Sequence, residues 1–135
     1  MNLKILIADE QALFSARLAR LLTALDEVIE VKLAADGESL AQKMKAQESD
    51  LIFVSLGLGD AVVKAMLKSV TAQEPAPKSI VIANREDPLL ERLCLEAGAD
   101  KVLVRSELLQ SIDELVPRAT QSECREWDAR SELLD

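Results

Sequence analysis

The chain has 135 residues, of which 49% are apolar and 30% charged, and its formal net charge is −8. This length suits one globular domain, which buries roughly two thirds of its unfolded surface and needs neither disulfide nor metal to fold. No apolar run approaches the ~18 residues of a membrane span and no signal segment opens the chain, so we expect a cytoplasmic protein without membrane contact.

Several residue types are absent or rare, which excludes whole classes of chemistry. The chain has no histidine, and this removes Ser-His-Asp and Cys-His nucleophiles, histidine-ligated zinc and a phosphate-carrying histidine. Cys94 and Cys124 lack a metal-ligand spacing and are interpreted as incidental thiols. The acidic charge and the scarcity of aromatic side chains disfavour direct binding of nucleic acid by this domain.

Short β-type runs alternate five times with helical stripes, a pattern typical of a parallel α/β sheet. The predicted strands are Leu3 to Ala8, Val28 to Leu33, Leu51 to Ser55, Ile80 to Ala83 and Val102 to Val104. The first helix carries an apolar stripe from Phe14 to Leu25, the second follows a capping Asp36, and the third begins near Asp60.

The fourth helix has clear start and stop signals. Asp87 is a capping residue, Pro88 occupies the first helical position and Gly98 follows the end. Its apolar stripe comprises Leu89, Leu90, Leu93, Cys94 and Ala97. Ser106 opens the fifth helix.

The character of each strand predicts its place in the sheet. The third and fourth strands are apolar throughout, whereas the second alternates with Glu30 and Lys32, as an edge strand does. We therefore expect an α/β fold with a doubly wound, five-stranded parallel sheet of order 2-1-3-4-5 between two helical layers, a flavodoxin-like three-layer sandwich. Its functional crevice would lie at the carboxyl ends of the first and third strands.

Four motifs in this order carry a resemblance to a known family. They are Ile5-Leu6-Ile7-Ala8-Asp9-Glu10 with Leu13-Phe14, then Ala34-Ala35-Asp36-Gly37-Glu38, Asp50-Leu51-Ile52-Phe53-Val54, and Glu96-Ala97-Gly98-Ala99-Asp100, all within five strand-helix units. From Leu3 to Val116 the chain resembles the CheY-like receiver domain of bacterial two-component response regulators. The resemblance implies phosphoryl transfer from a kinase histidine to an aspartate, assisted by a divalent ion.

The family's functional positions are only partly kept. The resemblance places the acidic pair at Asp9 and Glu10, but it places Ser55 where the phosphoacceptor aspartate belongs, Ala83 at the Thr/Ser position and Arg105 at the Lys position. Serine is un-ionised near neutral pH and no histidine can activate it, so we expect no acyl phosphate at Ser55 and no enzymatic activity.

Two features of this crevice have open interpretations. Mg²⁺ would keep only Asp9, Glu10 and the Gly57 carbonyl, so we expect weak binding at best and no other cofactor. Arg105 either pairs with Asp9, imitating an engaged state, or is an ordinary solvated arginine. Ser55 is either a degenerate acceptor or a small polar plug.

The resemblance nominates the face of helix four, strand five and helix five for contacts with a protein partner or a second copy in a homodimer. The candidate residues there are Leu89, Arg92, Glu96, Lys101, Val102 and Glu107. Val102 stands where the family carries an aromatic residue that reports activation. We therefore expect a phosphorylation-independent pseudo-receiver. The alternatives are a receiver-like domain that binds a small molecule, and the regulatory part of a DNA-binding regulator or a diguanylate cyclase.

The end of the chain differs from the rest. Residues 1–117 form the predicted receiver-like domain, and residues 118–135 a helical linker or tail that could lead to an output domain. Val116, Thr120, Cys124, Trp127, Ser131 and Leu134 follow a coiled-coil spacing, although only some are strongly apolar.

Overall fold

The computed structural model describes residues 2–46 and 48–119, without the side chains of 113–119. Five strands and five α-helices alternate along the chain. The strands are β1 (Leu3–Ala8), β2 (Val28–Ala34), β3 (Leu51–Ser55), β4 (Lys78–Ala83) and β5 (Lys101–Val104). The helices are α1 (Ala12–Thr23), α2 (Gly37–Ala46), α3 (Asp60–Thr71), α4 (Pro88–Glu96) and α5 (Arg105–Ala119), with a short 3-10 helix at Leu56–Leu58.

The strands form one parallel sheet of order β2-β1-β3-β4-β5, which confirms the predicted fold class and the edge position of β2. β4 and β5 begin earlier than predicted, at Lys78 and Lys101. Both lysines are paired in the sheet, Lys78 opposite Leu51 and Lys101 opposite Ile80. Backbone pairing with a neighbouring strand, which the local pattern does not contain, sets these two boundaries.

The core lies on both faces of the sheet. Ile5, Ile7 and Phe53 pack on one face with buried side chains of α1 and α5. Leu6 and Ile52 pack on the opposite face with residues of α2, α3 and α4. Successive residues of a strand point to opposite faces, so apolar residues throughout β1 and β3 bury the sheet on both sides and hold their carboxyl ends rigidly.

Helix α4 is attached to the sheet by few side chains. The Asp87 carboxylate accepts a hydrogen bond from the Leu90 amide at 3.2 Å, and Gly98 follows the helix with a φ of +118°, as predicted. The predicted apolar stripe is confirmed only in part, because Cys94 is buried and Leu90 half-buried while Leu89 and Leu93 are 66% and 50% exposed. Ala97 is also exposed. The sheet covers a narrower stripe of this helix than the sequence pattern indicates.

Two further features complete the fold. Burial raises the pKa of the Cys94 thiol, and Asp60 raises it further, so this free cysteine is uncharged near neutral pH. Helix α5 continues through Pro117, and the coiled-coil positions from Thr120 onward lie outside the described residues. Within the described ranges, no helix is both long and apolar enough to cross a bilayer.

The sparse packing of α4 predicts that its N-cap controls its local stability. We expect Asp87→Ala to destabilise α4 by about 1 kcal/mol and to speed amide exchange in that helix about fivefold, with little effect on β1 and β3. Native-state hydrogen exchange measures this. Asp36→Ala is the matched control, because Asp36 accepts from the Ser39 amide at 2.8 Å at the start of α2, and its effect should stay in α2. Equal acceleration in all helices after Asp87→Ala would contradict local opening of α4.

Candidate functional site

Four polar residues meet at one edge of the sheet because the strands are parallel. Asp9 follows β1, Ser55 ends β3, Asn84 follows β4, and Arg105 begins α5 directly after β5. This edge is the crevice that the sequence predicts. Asp60, the nearest acid after Ser55 in the chain, is exposed at the start of α3.

The Arg105 guanidinium fills this crevice. Its Nη1 donates to Asp9 Oδ2 in a salt bridge, its Nη2 donates to Ser55 Oγ at 3.1 Å, and its Nε donates to Asn84 Oδ1 at 3.0 Å. The Asp9 side chain is 0% exposed and that of Arg105 only 12%. Of the two interpretations of Arg105, the structure therefore favours the ion pair.

An aromatic ring supports the guanidinium from α1. The Arg105 Cζ lies 4.4 Å from the centroid of the Phe14 ring, which is a cation–π contact. Such a contact contributes about 0.5–2 kcal/mol, with the larger value in a desolvated site. Phe14 thus joins the crevice as well as the predicted core stripe of α1.

Backbone amides also donate to two side chains of the crevice. Asp9 Oδ1 accepts from the Gln11 amide at 2.9 Å, and Ser55 Oγ accepts from the Gly57 amide at 3.0 Å. The Glu10 carboxylate lies so close to Gly57 that a Cβ there would be 1.9 Å from Glu10 Oε2. A hydroxyl oxygen accepts two hydrogen bonds, so the Gly57 amide and the Arg105 guanidinium use the full acceptor capacity of Ser55.

The pKa values of Asp9 and Glu10 are shifted in opposite directions. Burial raises the pKa of Asp9, while Arg105 and the Gln11 amide oppose that rise. Burial also acts to raise the pKa of Glu10, but its own backbone amide, Ser55 and Asp9 outweigh it, and the pKa of Glu10 is lowered.

The other predicted site residues lie beside the crevice or away from it. Ala83 is buried at the end of β4, and with Lys101, Val102 and Glu107 it lines a cavity of about 310 Å³ between α4 and β5. Leu89, Arg92 and Glu96 are exposed on α4 and do not line that cavity. The predicted contact face thus divides into a recessed part and an exposed helical part.

Comparisons with known proteins agree with the observed fold. A family model described as the response regulator receiver domain matches residues 5–116. The chain belongs to this family. The receiver domain is 24% identical over 142 residues to the transcriptional regulatory protein LnrK of Bacillus subtilis, covering 97% of this chain and 64% of that protein. It is therefore the receiver domain of a two-component response regulator.

Two further similarities show how widely this domain is shared. The receiver domain is 29% identical over 82 residues to a protein-glutamate methylesterase/protein-glutamine glutaminase of Anaeromyxobacter dehalogenans, covering 61% of this chain and 24% of that protein. A response regulator from Burkholderia pseudomallei with a phosphorylated aspartic acid, calcium ion and citrate shares the fold, with a TM-score of 0.75 and 23% identity over 96% of this chain and 73% of that one. This chain thus spans less than two thirds of either curated relative.

The residues of this receiver domain do not fit the divalent ion that the family implies. The Arg105 guanidinium lies on the Asp9 oxygen that a cation would need, and the other Asp9 oxygen accepts from Gln11. Between residues 2–46 and 48–119, no group of three acidic, thiol or imidazole side chains is placed to hold a metal. Asp9 and Glu10 therefore act here as partners of Arg105 and Ser55.

The sequence pattern places Asn84 at the crevice, but it predicts neither the contact of Asn84 with Arg105 nor the roles of Phe14 and Gln11. Asn84 had a signal, because it directly follows a buried strand at the predicted edge. Phe14 had none, because an aromatic residue in a helical apolar stripe predicts core packing. Gln11 contributes its backbone amide, and side-chain identity carries no information about that contact.

Loss of Arg105 should strongly destabilise this domain, because it leaves the buried Asp9 carboxylate unpaired. We expect Arg105→Gln to lower the free energy of unfolding by about 3–5 kcal/mol. The double variant Asp9→Asn/Arg105→Gln should lose less than the sum of its single variants, with a coupling of about 1–3 kcal/mol. Denaturant unfolding measures both quantities.

The matched control is Arg85→Gln, because Arg85 is an exposed arginine near the same edge. Its effect should stay within about 0.5 kcal/mol. Strict additivity of the two crevice substitutions would mean that Asp9 and Arg105 do not stabilise each other.

The same substitution should shift the titration of Asp9. Arg105→Gln removes a cation that opposes the effect of burial, so the pKa of Asp9, already above its ordinary 3.8, should rise further. In this variant, ionised Asp9 lowers the free energy of unfolding. This loss of stability disappears as the pH falls through the raised pKa of Asp9 and the carboxylate is protonated. NMR titration of the Asp9 carboxyl carbon, with unfolding at pH 7 and pH 5, measures both effects. A pKa equal in both proteins would show that the guanidinium does not act on Asp9.

Proposed function

We propose that this receiver domain signals without phosphorylation, through contacts with protein partners. The single observation that carries the proposal is the occupation of the crevice by Arg105, which bonds Asp9, Ser55 and Asn84 at once. A positive charge is thereby already present beside the acidic pair. The crevice is in a paired arrangement without any external ion or phosphoryl group.

The chemistry of Ser55 supports this proposal. An acceptor must present an ionised or activated nucleophile, whereas the Ser55 hydroxyl is 0% exposed and bonded to Arg105 and to the Gly57 amide. Histidine is absent from the entire chain, so it cannot supply the usual activating base. Ala83, in the position of the family's hydroxyl residue, has no donor for a phosphoryl oxygen.

The arrangement of Arg105 supports a fixed rather than a switched crevice. Its three hydrogen bonds join α5 to the ends of β1, β3 and β4. Arginine stays protonated at physiological pH, and its planar fork cannot reproduce these bonds in another orientation of the side chain. A constitutive arrangement of the β5–α5 junction follows from this.

The surface beyond the junction is the proposed contact face. Leu89, Arg92 and Glu96 are exposed on α4, while Lys101, Val102 and Glu107 extend this face across β5 and α5. Exposed leucines beside charged residues are common in surfaces that bind other proteins. The partner is either another protein or a second copy of this domain. We propose that the two bind in the cytoplasm. In this proposal the domain neither catalyses a reaction nor contacts nucleic acid directly.

A second candidate is that the domain regulates an output domain of a transcription factor. The similarity to a transcriptional regulatory protein over 97% of this chain favours this output over a diguanylate cyclase. Regulation of such an output domain is compatible with a phosphorylation-independent receiver. A small-molecule ligand in the crevice is less well supported, because Arg105 fills that space and satisfies its polar groups.

Phosphodonor treatment tests the proposal directly. With acetyl phosphate or beryllofluoride and Mg²⁺, the mass of the protein and its amide NMR spectrum should remain unchanged, because Ser55 has no ionised oxygen to offer. A covalent adduct in the crevice of the natural protein would overturn the proposal.

A reconstructed site provides the positive control for this experiment. The triple variant Ser55→Asp/Ala83→Thr/Arg105→Lys places a carboxylate, a hydroxyl and an amine at the three positions that depart from the family. We expect this variant to gain the mass of one phosphoryl group with acetyl phosphate and Mg²⁺. Asp9→Asn in the same background should abolish that gain.

A further inference from the structure

A recessed cavity of about 310 Å³ lies between α4 and β5, next to the crevice. Its apolar lining includes Leu56, Ala83, Leu90, Val102 and Val104. The side chains at Ala83 and Val102 are short, and Leu90 is the half-buried residue of α4 that faces this space. The cavity therefore adjoins short side chains at the end of β4 and within β5.

The rim of this cavity is predominantly acidic. It carries four carboxylates, from Glu86, Asp87, Glu91 and Glu107, against two cations, from Arg85 and Lys101. All four acidic residues are exposed, and three of them belong to the start of α4 or the turn before it. The cavity thus combines an apolar patch with a larger polar and mainly acidic surround. This combination favours an occupant that is apolar at its tip and cationic at its base.

The size of the cavity restricts the occupant further. A volume of about 310 Å³ lies at the lower limit of small-molecule sites, which suits one large side chain and leaves no room for a helix. Aromatic residues that insert into such pockets, surrounded by charged neighbours at the rim, supply most of the binding energy in many protein interfaces.

We propose that this cavity receives one aromatic side chain from a cationic segment of a partner protein. Lysine or arginine residues next to that aromatic residue would pair with Glu91 and Glu107 at the rim. This inference rests on the proposed function, because it names the chemistry of the partner that the contact face binds.

Two indole compounds of opposite charge serve as probes. Tryptamine carries an aromatic ring and an ammonium group, whereas indole-3-acetate carries a similar ring and a carboxylate. We expect tryptamine to shift the amide resonances of Leu90, Val102 and Glu107 with a dissociation constant on the order of 1 mM. Indole-3-acetate should bind about tenfold more weakly, because the rim repels it.

Two kinds of variant test the apolar patch and the rim separately. Val102→Trp fills the cavity and should abolish the tryptamine shifts, while Ile29→Trp, on the exposed edge strand β2, should leave them unchanged. Glu91→Gln/Glu107→Gln alters only exposed side chains and should reduce the preference for tryptamine over indole-3-acetate to about twofold. The second variant keeps the test decisive if Val102→Trp fails to fold.

Three results would overturn the inference. They are equal binding of the two probes, tryptamine shifts that persist in a folded Val102→Trp variant, and self-association of the natural protein in sedimentation that Val102→Trp abolishes. The last result would assign the cavity to a second copy of this chain. If the tryptamine experiment fails while the protein still resists acetyl phosphate, only this inference is wrong. A phosphoryl adduct would instead contradict the proposed function.

Discussion

A buried ion pair between Asp9 and Arg105 governs the chemistry of this domain. The two residues are 96 positions apart in the chain, and the parallel sheet brings them together at its carboxyl edge. A carboxylate with no exposed side-chain surface requires a compensating charge, and Arg105 supplies it. The other features of the crevice follow from this pair, because the same guanidinium also bonds Ser55 and Asn84 and lies over Phe14.

Arginine is not a conservative replacement for the lysine that the family resemblance implies at this position. Lysine is a compact charge on a flexible stem, whereas arginine presents planar donors in fixed directions. Here those directions match one oxygen from each of three neighbouring loops or strands. The result is a crevice held by its own side chains, in which the residual acidic pair neutralises an internal cation. The proposed loss of phosphorylation and the poor fit for Mg²⁺ thus have the same physical origin.

The region next to the crevice has a different character. The ends of β1 and β3 are enclosed by apolar residues on both faces of the sheet, while α4 buries one side chain and exposes several leucines. A rigid crevice therefore adjoins a sparsely packed helix and a cavity with an acidic rim. In such an arrangement the proposed contact face, rather than the crevice, is the part of the domain that would respond to a partner.

The amino-acid sequence by itself determined the sheet. Continuous apolar runs in β3 and β4 and the alternation in β2 predicted the central strands and the edge strand, because burial on one or two faces is a local signal. The caps Asp36 and Asp87 predicted helix starts, and the doubly wound topology supplied the rest of the strand order. It also identified Asp9, Ser55 and Arg105 as neighbours at one edge, since parallel strands end together. The tertiary structure decided whether Arg105 is paired, which side of α4 is covered and where a cavity remains. Those outcomes depend on side-chain packing between distant segments, which no local pattern encodes.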